Sequence, residues 1–330
     1  TSHGRRLKLK DGVGSPGGGT SGMPEATEAP PVSLQSFVQT LRAALLSLKE
    51  LRKGKHASQA APQWMPEGVK LIFHPPEAVE LVGSAALGTA LRTSPILDLL
   101  VCIPKACFQE KDYLCRRYHA RKALYLRQLA DALEAHDRLD LRGRVRVRET
   151  AFGYDDAVEV VHKDEGNREW SVRVLAVGSA DAFPMGKLHP GRANLRLKGG
   201  GEGVEKPSPA YNARLAAELR SLALHDVLSS TLLPAASLRE AVILLKVWAA
   251  QRGLMRCDDG VTSHLLTVML VHLAAHGRVD ATMTSLQVFR TFLAELAQTG
   301  NLMNPKKNVF ASPLGVSEGG AAAVAGAAGA

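Results

Sequence analysis

In the segment "LVGSAALGTALRTSPILDLLVCIP" (residues 81–104), an apolar run ends at Gly83-Ser84, a short spacer follows, and a second apolar run carries Asp98. A glycine-serine turn ahead of a helix lets backbone N–H groups approach a phosphate. A carboxylate on the next strand offers magnesium a hard oxygen ligand. This is the outline of a nucleotidyl-transfer site, where two magnesium ions activate the attacking hydroxyl and hold a triphosphate. Such a site needs two acids one residue apart, because positions i and i+2 of a strand share a face. The partner position here is Leu100. An apolar side chain stands where the second carboxylate belongs, and one carboxylate cannot clamp two ions. A third acid would come from a later strand, yet the central positions of "WSVRVLAV" (170–177) are Val172, Arg173 and Val174. Glu159, in "AVEVVH" (157–162), is the one acid in the middle of those later predicted strands and reads as a solvated sheet-face residue. The expectation is a vestigial nucleotide site at Gly83, Ser84, Asp98 and Leu100, with no catalytic residue, no metal and no cofactor.

Other constellations are weaker. Cys115 and His119 lie four apart, with Cys107 and Cys102 upstream, but no second close pair completes a zinc site. His272 and His276 share a helix face without a third ligand nearby in sequence and read as surface histidines. The stretch "KGGGEGVEKPSP" (198–209) lacks the Gly-Lys-Ser/Thr ending of a phosphate loop and reads as a linker.

The elements that would position the site follow from periodicity. Strand-like runs are "AVELV" (78–82), "ILDLLVCI" (96–103), "RVRVRE" (144–149), "AVEVVH" and "WSVRVLAV". A helix is predicted from Ser33 to about residue 53, with Leu34, Phe37, Val38, Leu41, Leu45 and Leu48 on one stripe and a basic end at Lys49, Arg52, Lys53 and Lys55. A long helix is predicted from Glu110 to His136. After Tyr211 the chain reads as helical. Ser237 to Glu240 forms a capping box ahead of a helix closed by Gly253, with Leu238, Ala241, Val242, Leu245, Trp248 and Ala249 inward. A further helix, Ser263 to His276, buries Leu265, Leu266, Met269, Leu270 and Leu273 and stops at Gly277. Thr284 to Gln287 caps the last one, whose inner side is Leu286, Phe289, Leu293 and Leu296.

Composition bounds the class. The 330 residues leave room for two domains and tails, with 45% hydrophobic and 22% charged residues. No apolar run reaches membrane-span length, so no membrane association is expected, and the first ten residues lack an apolar signal core. Four cysteines without CxxC spacing suit a reducing compartment. Residues 1–66 are expected to be disordered apart from the one amphipathic helix, and 313–330 form an Ala/Gly tail. The fold class is α+β, with a mixed-sheet domain over 67–205 and a helical domain over 206–312.

A net charge of +9 favours an acidic partner, nucleic acid being the commonest. The long helix carries Arg116, Arg117, Arg121, Lys122 and Arg127 among Tyr113, Tyr118 and Tyr125. Tyr118, Tyr125, Leu129 and Leu133 share a stripe, which places those tyrosines in the core. Its basic residues form either a solvated face or a surface for RNA or an acidic protein. Arg144, Arg146 and Arg148, on one side of a strand, raise the same question.

The run "VGS…LGT…SPILDLLVCIPKACFQEKDYLCRRYHARKALYLRQLA" resembles the signature region of the Nrap nucleolar protein family. The resemblance continues through "SPAYNARLAAELRSLALHDVLSS", "LREAVILLKVWAAQRGL" and "DATMTSLQVFRTFLAELA" and covers about residues 67 to 298. It implies a nucleotidyltransferase-like domain followed by a helical domain of the poly(A) polymerase and oligoadenylate synthetase type, a pair that the family holds twice. The family is thought to lack transferase activity and to act as a scaffold in the small-subunit processome. That implies nucleolar location, pre-rRNA or small nucleolar ribonucleoprotein and other processome proteins as partners, and a role in small ribosomal subunit biogenesis. A full member is about three times as long, so the chain is expected to be an N-terminal portion or a truncated product. The alternative is an active RNA nucleotidyltransferase using Asp98 with non-standard acids such as Glu159.

Overall fold

Five runs rich in Val, Leu and Ile become strands because β-branched and large apolar side chains pack well on a pleated, half-buried surface. They are β1 (Ala78–Val82), β2 (Ile96–Ile103), β3 (Val145–Arg148), β4 (Ala157–Lys163) and β5 (Glu169–Gly178). The computed structural model describes residues 32–48, 55–91, 96–137, 139–164, 167–196, 206–255 and 260–298. Of the start expected to be disordered (1–66), residues 1–31, Lys49, Arg52 and Lys53 lie outside the described residues, as do the glycines of 199–203 and the Ala/Gly tail. Residues 55–66 depart from that expectation, since the Asp131 carboxylate on the long helix accepts the N–H groups of His56 and Ala57 at 2.9 Å each.

The strands form one mixed sheet in the order β1-β2-β5-β4-β3. Only β2 and β5 run parallel; the other neighbours are antiparallel. One face carries Leu97, Leu99, Val101 and Ile103 of β2 with Val172, Val174, Val158 and Val160, and forms the main core. Two helices, α1 (Val32–Leu46) and α3 (Arg117–Glu134), cover it. The expected stripe of α1 is buried at Leu34, Val38, Leu41 and Leu45. Tyr118 and Tyr125 are core residues as expected.

The opposite face is shared. Leu100, Val82 and Val177 form a small apolar patch with Leu175 and Leu222. Leu222 belongs to α5 (Ser221–Leu232), one of five consecutive helices that include α4 (Pro209–Leu219), α6 (Ala236–Gln251), α7 (Ser263–Ala275) and α8 (Ser285–Gln298). The last four pack around Leu238, Leu245, Leu270 and Phe292, and Leu87 from the sheet side joins that core. A four-residue helical turn, α2 (Gly83–Ala86), links β1 to the segment before β2.

Several local expectations need correction. The long helix starts at Arg117, not Glu110. The buried carboxylate of Asp112 accepts the Gln109 N–H at 2.7 Å and pairs with Arg117 and Arg121, while Cys115 and Arg116 are left-handed. These contacts hold residues 109–116 as turns. Ser237 makes no capping bond; its hydroxyl reaches Ala281 O at 3.4 Å, and α6 begins beyond Ala235 without a side-chain cap. The Thr284–Gln287 box does form, with Thr284 N–H donating to Gln287 Oε1 at 2.8 Å and Gln287 N–H to Thr284 Oγ1 at 3.3 Å. Leu265 and Leu286 are exposed, because the inward faces of α7 and α8 centre on Leu266, Leu270 and on Val288, Phe292. Among the described residues no single helix is long and apolar enough to cross a membrane.

Candidate functional site

β1 delivers Gly83 and Ser84 to one end of the sheet, and the antiparallel register sets Val82 opposite Asp98. Gly83 has φ +73, which an L side chain adopts only with strain, and an added Cβ would lie 2.9 Å from Asp98 Oδ2. The glycine is therefore required both by the turn and by the approach of Asp98. The backbone then closes on itself: Leu87 N–H donates to Gly83 O at 3.1 Å and Thr89 N–H to Ser84 O at 2.8 Å.

In the parallel β2/β5 pair, Asp98 stands opposite Arg173 and Leu100 opposite Leu175. Arg173 Nε donates to Asp98 Oδ1 at 2.7 Å and Nη2 to Asp98 Oδ2 at 2.9 Å, a fork-on-fork pair using both carboxylate oxygens. Leu100 is 5% exposed, packed in the apolar patch. Glu159 faces Arg173 from the far side and lies 3.6 Å from Arg148. One row of the sheet thus reads Arg146, Glu159, Arg173, Asp98, with alternating charge across four strands.

Asp98, Leu100 and Arg173 form the sheet wall of a cavity of about 570 Å³. The helical wall brings Lys246, His225 and His264. Lys246 is 2% exposed and donates to Thr89 O at 2.8 Å and Thr89 Oγ1 at 3.1 Å. Burial lowers its ammonium to about 8. Burial lowers His225 and His264 as well, and the charge on Lys246 pushes His264 further down. The cavity is cationic on its helical side and holds a clamped ion pair on its sheet side. Lys246 and Arg173 were not singled out as site residues in the sequence. The available signal was a lone charge in an apolar run: Lys246 in "VILLKVW", Arg173 in "SVRVLAV" and Asp98 in "ILDLLV". A single charge in such a run needs a partner on a neighbouring element.

The other candidates scatter. Arg121 and Lys122 are 4% and 3% exposed, so neither offers a surface for RNA or a partner. Arg121 pairs with Asp112 and donates to Lys70 O and Cys107 O. Lys122 donates to Glu218 Oε2 at 2.7 Å and Tyr154 O at 2.9 Å. His119 Nε2 lies 3.3 Å from Glu218 Oε1 in the same cluster. Burial raises the Glu218 carboxyl, but Lys122 and His119 outweigh it and hold the group at about 2. These side chains lock α3 to α4. Arg127 is likewise inside, against Glu149. Arg117 is half-exposed and tied to Asp112, and Arg116 lies over the Phe152 ring at 4.0 Å. Arg144, Arg146 and Arg148 are exposed along β3. Cys115 Sγ faces Arg196 O and Cys102 Sγ faces Glu77, so the cysteines do not meet His119. His272 is buried, not on the surface, with its ring 4.2 Å from that of His276.

The sheet and the helices that close over it make an α+β architecture with the cavity between them. Two family models match: Nrap protein domain 1 over residues 43–233 and the Nrap protein PAP/OAS-like domain over 237–313. The chain belongs to the Nrap family. It is similar to nucleolar protein 6 of Homo sapiens, 29% identical over 299 residues, and of Mus musculus, 30% identical over 259 residues. Those alignments take in 82% and 73% of this chain but 25% and 22% of the relatives, so the chain spans about a quarter of the curated relatives' length. Among solved structures, E. coli MS115-1 CdnC with ATP aligns with 82% of this chain and 68% of its own at TM-score 0.42 and 16% identity. The Elizabethkingia meningoseptica CdnE cyclic dinucleotide synthase aligns with 80% and 77% at TM-score 0.38 and 13% identity.

Proposed function

We propose that this chain is a catalytically inactive nucleotidyltransferase-fold scaffold that serves small ribosomal subunit assembly in the nucleolus by binding RNA and protein. The observation that carries the reading is the Asp98–Arg173 pair. Both oxygens of the remaining carboxylate are taken by a guanidinium at 2.7 and 2.9 Å, and the neighbouring face position is the buried Leu100. Magnesium needs several hard oxygens in near-octahedral array. The residues present do not fit a magnesium pair: they offer one carboxylate, already neutralised by a fixed cation. Glu159 stands beyond Arg173 and is paired with Arg148, which argues against its use as a second ligand.

The nucleolar and ribosome-assembly part rests on family membership and on the relatives' name, nucleolar protein 6. Processome membership, with pre-rRNA or small nucleolar ribonucleoprotein and processome proteins as partners, extends that support to the chain. A primer-extension assay with RNA, all four nucleoside triphosphates and magnesium or manganese tests inactivity: no extension is expected. Extension lost in Asp98→Ala would favour the active-enzyme alternative. Co-sedimentation of the tagged chain with precursor ribosomal particles tests the assembly role, and its absence from them would count against it.

A further inference from the structure

The open half of the sheet face that leads into the cavity carries Arg146 and Arg148 of β3, the edge strand, with Arg144 exposed just before it. Arg146 and Arg148 point to the face shared with Glu159 and Arg173, since Arg146 stands opposite Glu159 and Arg148 opposite Ala157. Arg144 lies just before the strand, its carbonyl accepting the Val161 N–H at 3.0 Å. Arg144 and Arg146 have no carboxylate partner among the described residues. Arg148 shares Glu159 at 3.6 Å and donates to Asp155 O at 3.4 Å. Residues two apart on a strand are separated by about 6.8 Å. That is close to the interval between successive phosphates of an extended single strand.

The row continues into an aromatic cluster. The side chain of Asp155 holds Arg214, whose guanidinium lies over the Tyr154 ring at 4.5 Å. Phe152 is next to Tyr154, with ring centroids 5.9 Å apart, and is covered on one side by Arg116. Phe152 is 38% exposed and has φ +63; Arg116 has φ +60. Two non-glycine residues in the left-handed region, stacked on one another at the surface, cost roughly 1–2 kcal/mol each. The ring is nonetheless partly open to solvent, and such strain collects at binding sites.

We infer that β3 and the Phe152 turn form a binding surface for single-stranded RNA, with Arg144, Arg146 and Arg148 on successive phosphates and a base stacked at the Phe152–Arg116 pair. The inference rests on the RNA-scaffold reading and places its contact surface. Single-stranded nucleic acid is held by cationic tracks that pair backbone charge with exposed rings or guanidinium planes. An acidic protein would use the arginines but would leave the stacked aromatic unexplained.

The test is fluorescence anisotropy with the full chain and a labelled twelve-nucleotide single-stranded RNA, with a polyglutamate peptide of equal charge as competitor. Reversing Arg144, Arg146 and Arg148 to Glu should weaken RNA binding about 10- to 100-fold at low salt and flatten the log–log salt slope by about 2. Phe152→Ala should weaken it about tenfold with the slope unchanged, and Phe152→Trp should restore it. Circular dichroism and melting curves of each variant check that the fold is kept. Wild-type binding unaffected by either variant overturns this surface alone. Absence of wild-type binding overturns the RNA part of the scaffold reading as well. Displacement of RNA by polyglutamate with no effect of Phe152→Ala assigns the surface to an acidic protein and overturns the inference.

Discussion

Asp98 of β2 and Arg173 of β5 face each other in a parallel register, and the arginine grips both carboxylate oxygens, at 2.7 and 2.9 Å. Either residue alone would be a charge in an apolar strand; together they close the sheet wall of the cavity. In Arg173→Ala, Asp98 loses two charge-assisted hydrogen bonds, and a stability loss of about 1.5–3 kcal/mol is expected from urea melts. Arg173→Lys should recover part of it, because an ammonium cannot reproduce the fork. Arg173→Asp places a second carboxylate beside the first. Manganese should then raise the melting temperature of that variant and leave the wild type unmoved. A wild type stabilised by manganese would argue for a working metal site.

Gly83 has little room to change. Gly83→Ala combines a left-handed backbone, costing about 1–2 kcal/mol, with a Cβ 2.9 Å from Asp98 Oδ2. A loss of at least 2 kcal/mol is expected, on the order of those two effects combined. Because Asp98 must shift, Arg173→Ala should cost less in the Gly83→Ala background than in wild type. Equal costs in a double-mutant cycle would separate the two sites.

The Glu218 cluster predicts acid sensitivity. Its folded carboxyl sits at about 2 against a usual 4.5, so it adds stability that is fully present above about pH 4.5 and is lost as pH falls toward 2. The size is about 3 kcal/mol by linkage. Glu218→Gln should lose that amount at pH 7 and show a shallower decline over the same acid window. Parallel wild-type and variant curves between pH 4.5 and 2 would remove Glu218 as the cause.

Lys246 acts in the opposite range. Its folded ammonium titrates at about 8 and its unfolded one near 10.5, so the unfolded chain holds more protons between those values. Stability should therefore rise with pH across that window from this group. Lys246→Met should remove that component, read as a reduced difference between melts at pH 8 and pH 10.5. Identical slopes would mean that the ammonium is better solvated than its burial indicates.

The strands were legible because their signal is local. β1 and β2 have the bounds of the apolar runs "AVELV" and "ILDLLVCI". The start of α3 was not, because Asp112 gathers partners from residues 109, 117 and 121 that only folding brings together. The two Ser/Thr-x-x-Glu/Gln patterns show the same limit. Thr284 caps, while Ser237 sits inside the first turn of α6 and points to Ala281. On α3 a run of basic residues looks like a face, yet Arg121, Lys122 and Arg127 each meet a carboxylate from elsewhere.

The amino-acid order by itself determined the strand runs, the Gly83-Ser84 turn, the apolar Leu100 two residues beyond Asp98 and the family, since each is written in neighbouring residues. Only the tertiary structure decided that Arg173 occupies Asp98, that Lys246 enters the cavity, and that Arg121 and Lys122 are internal while the β3 arginines face outward. Those outcomes depend on which strand lies beside which and which helix covers them. A charge settles wherever folding sets a partner or leaves it to water, and that choice is made across residues distant in the chain.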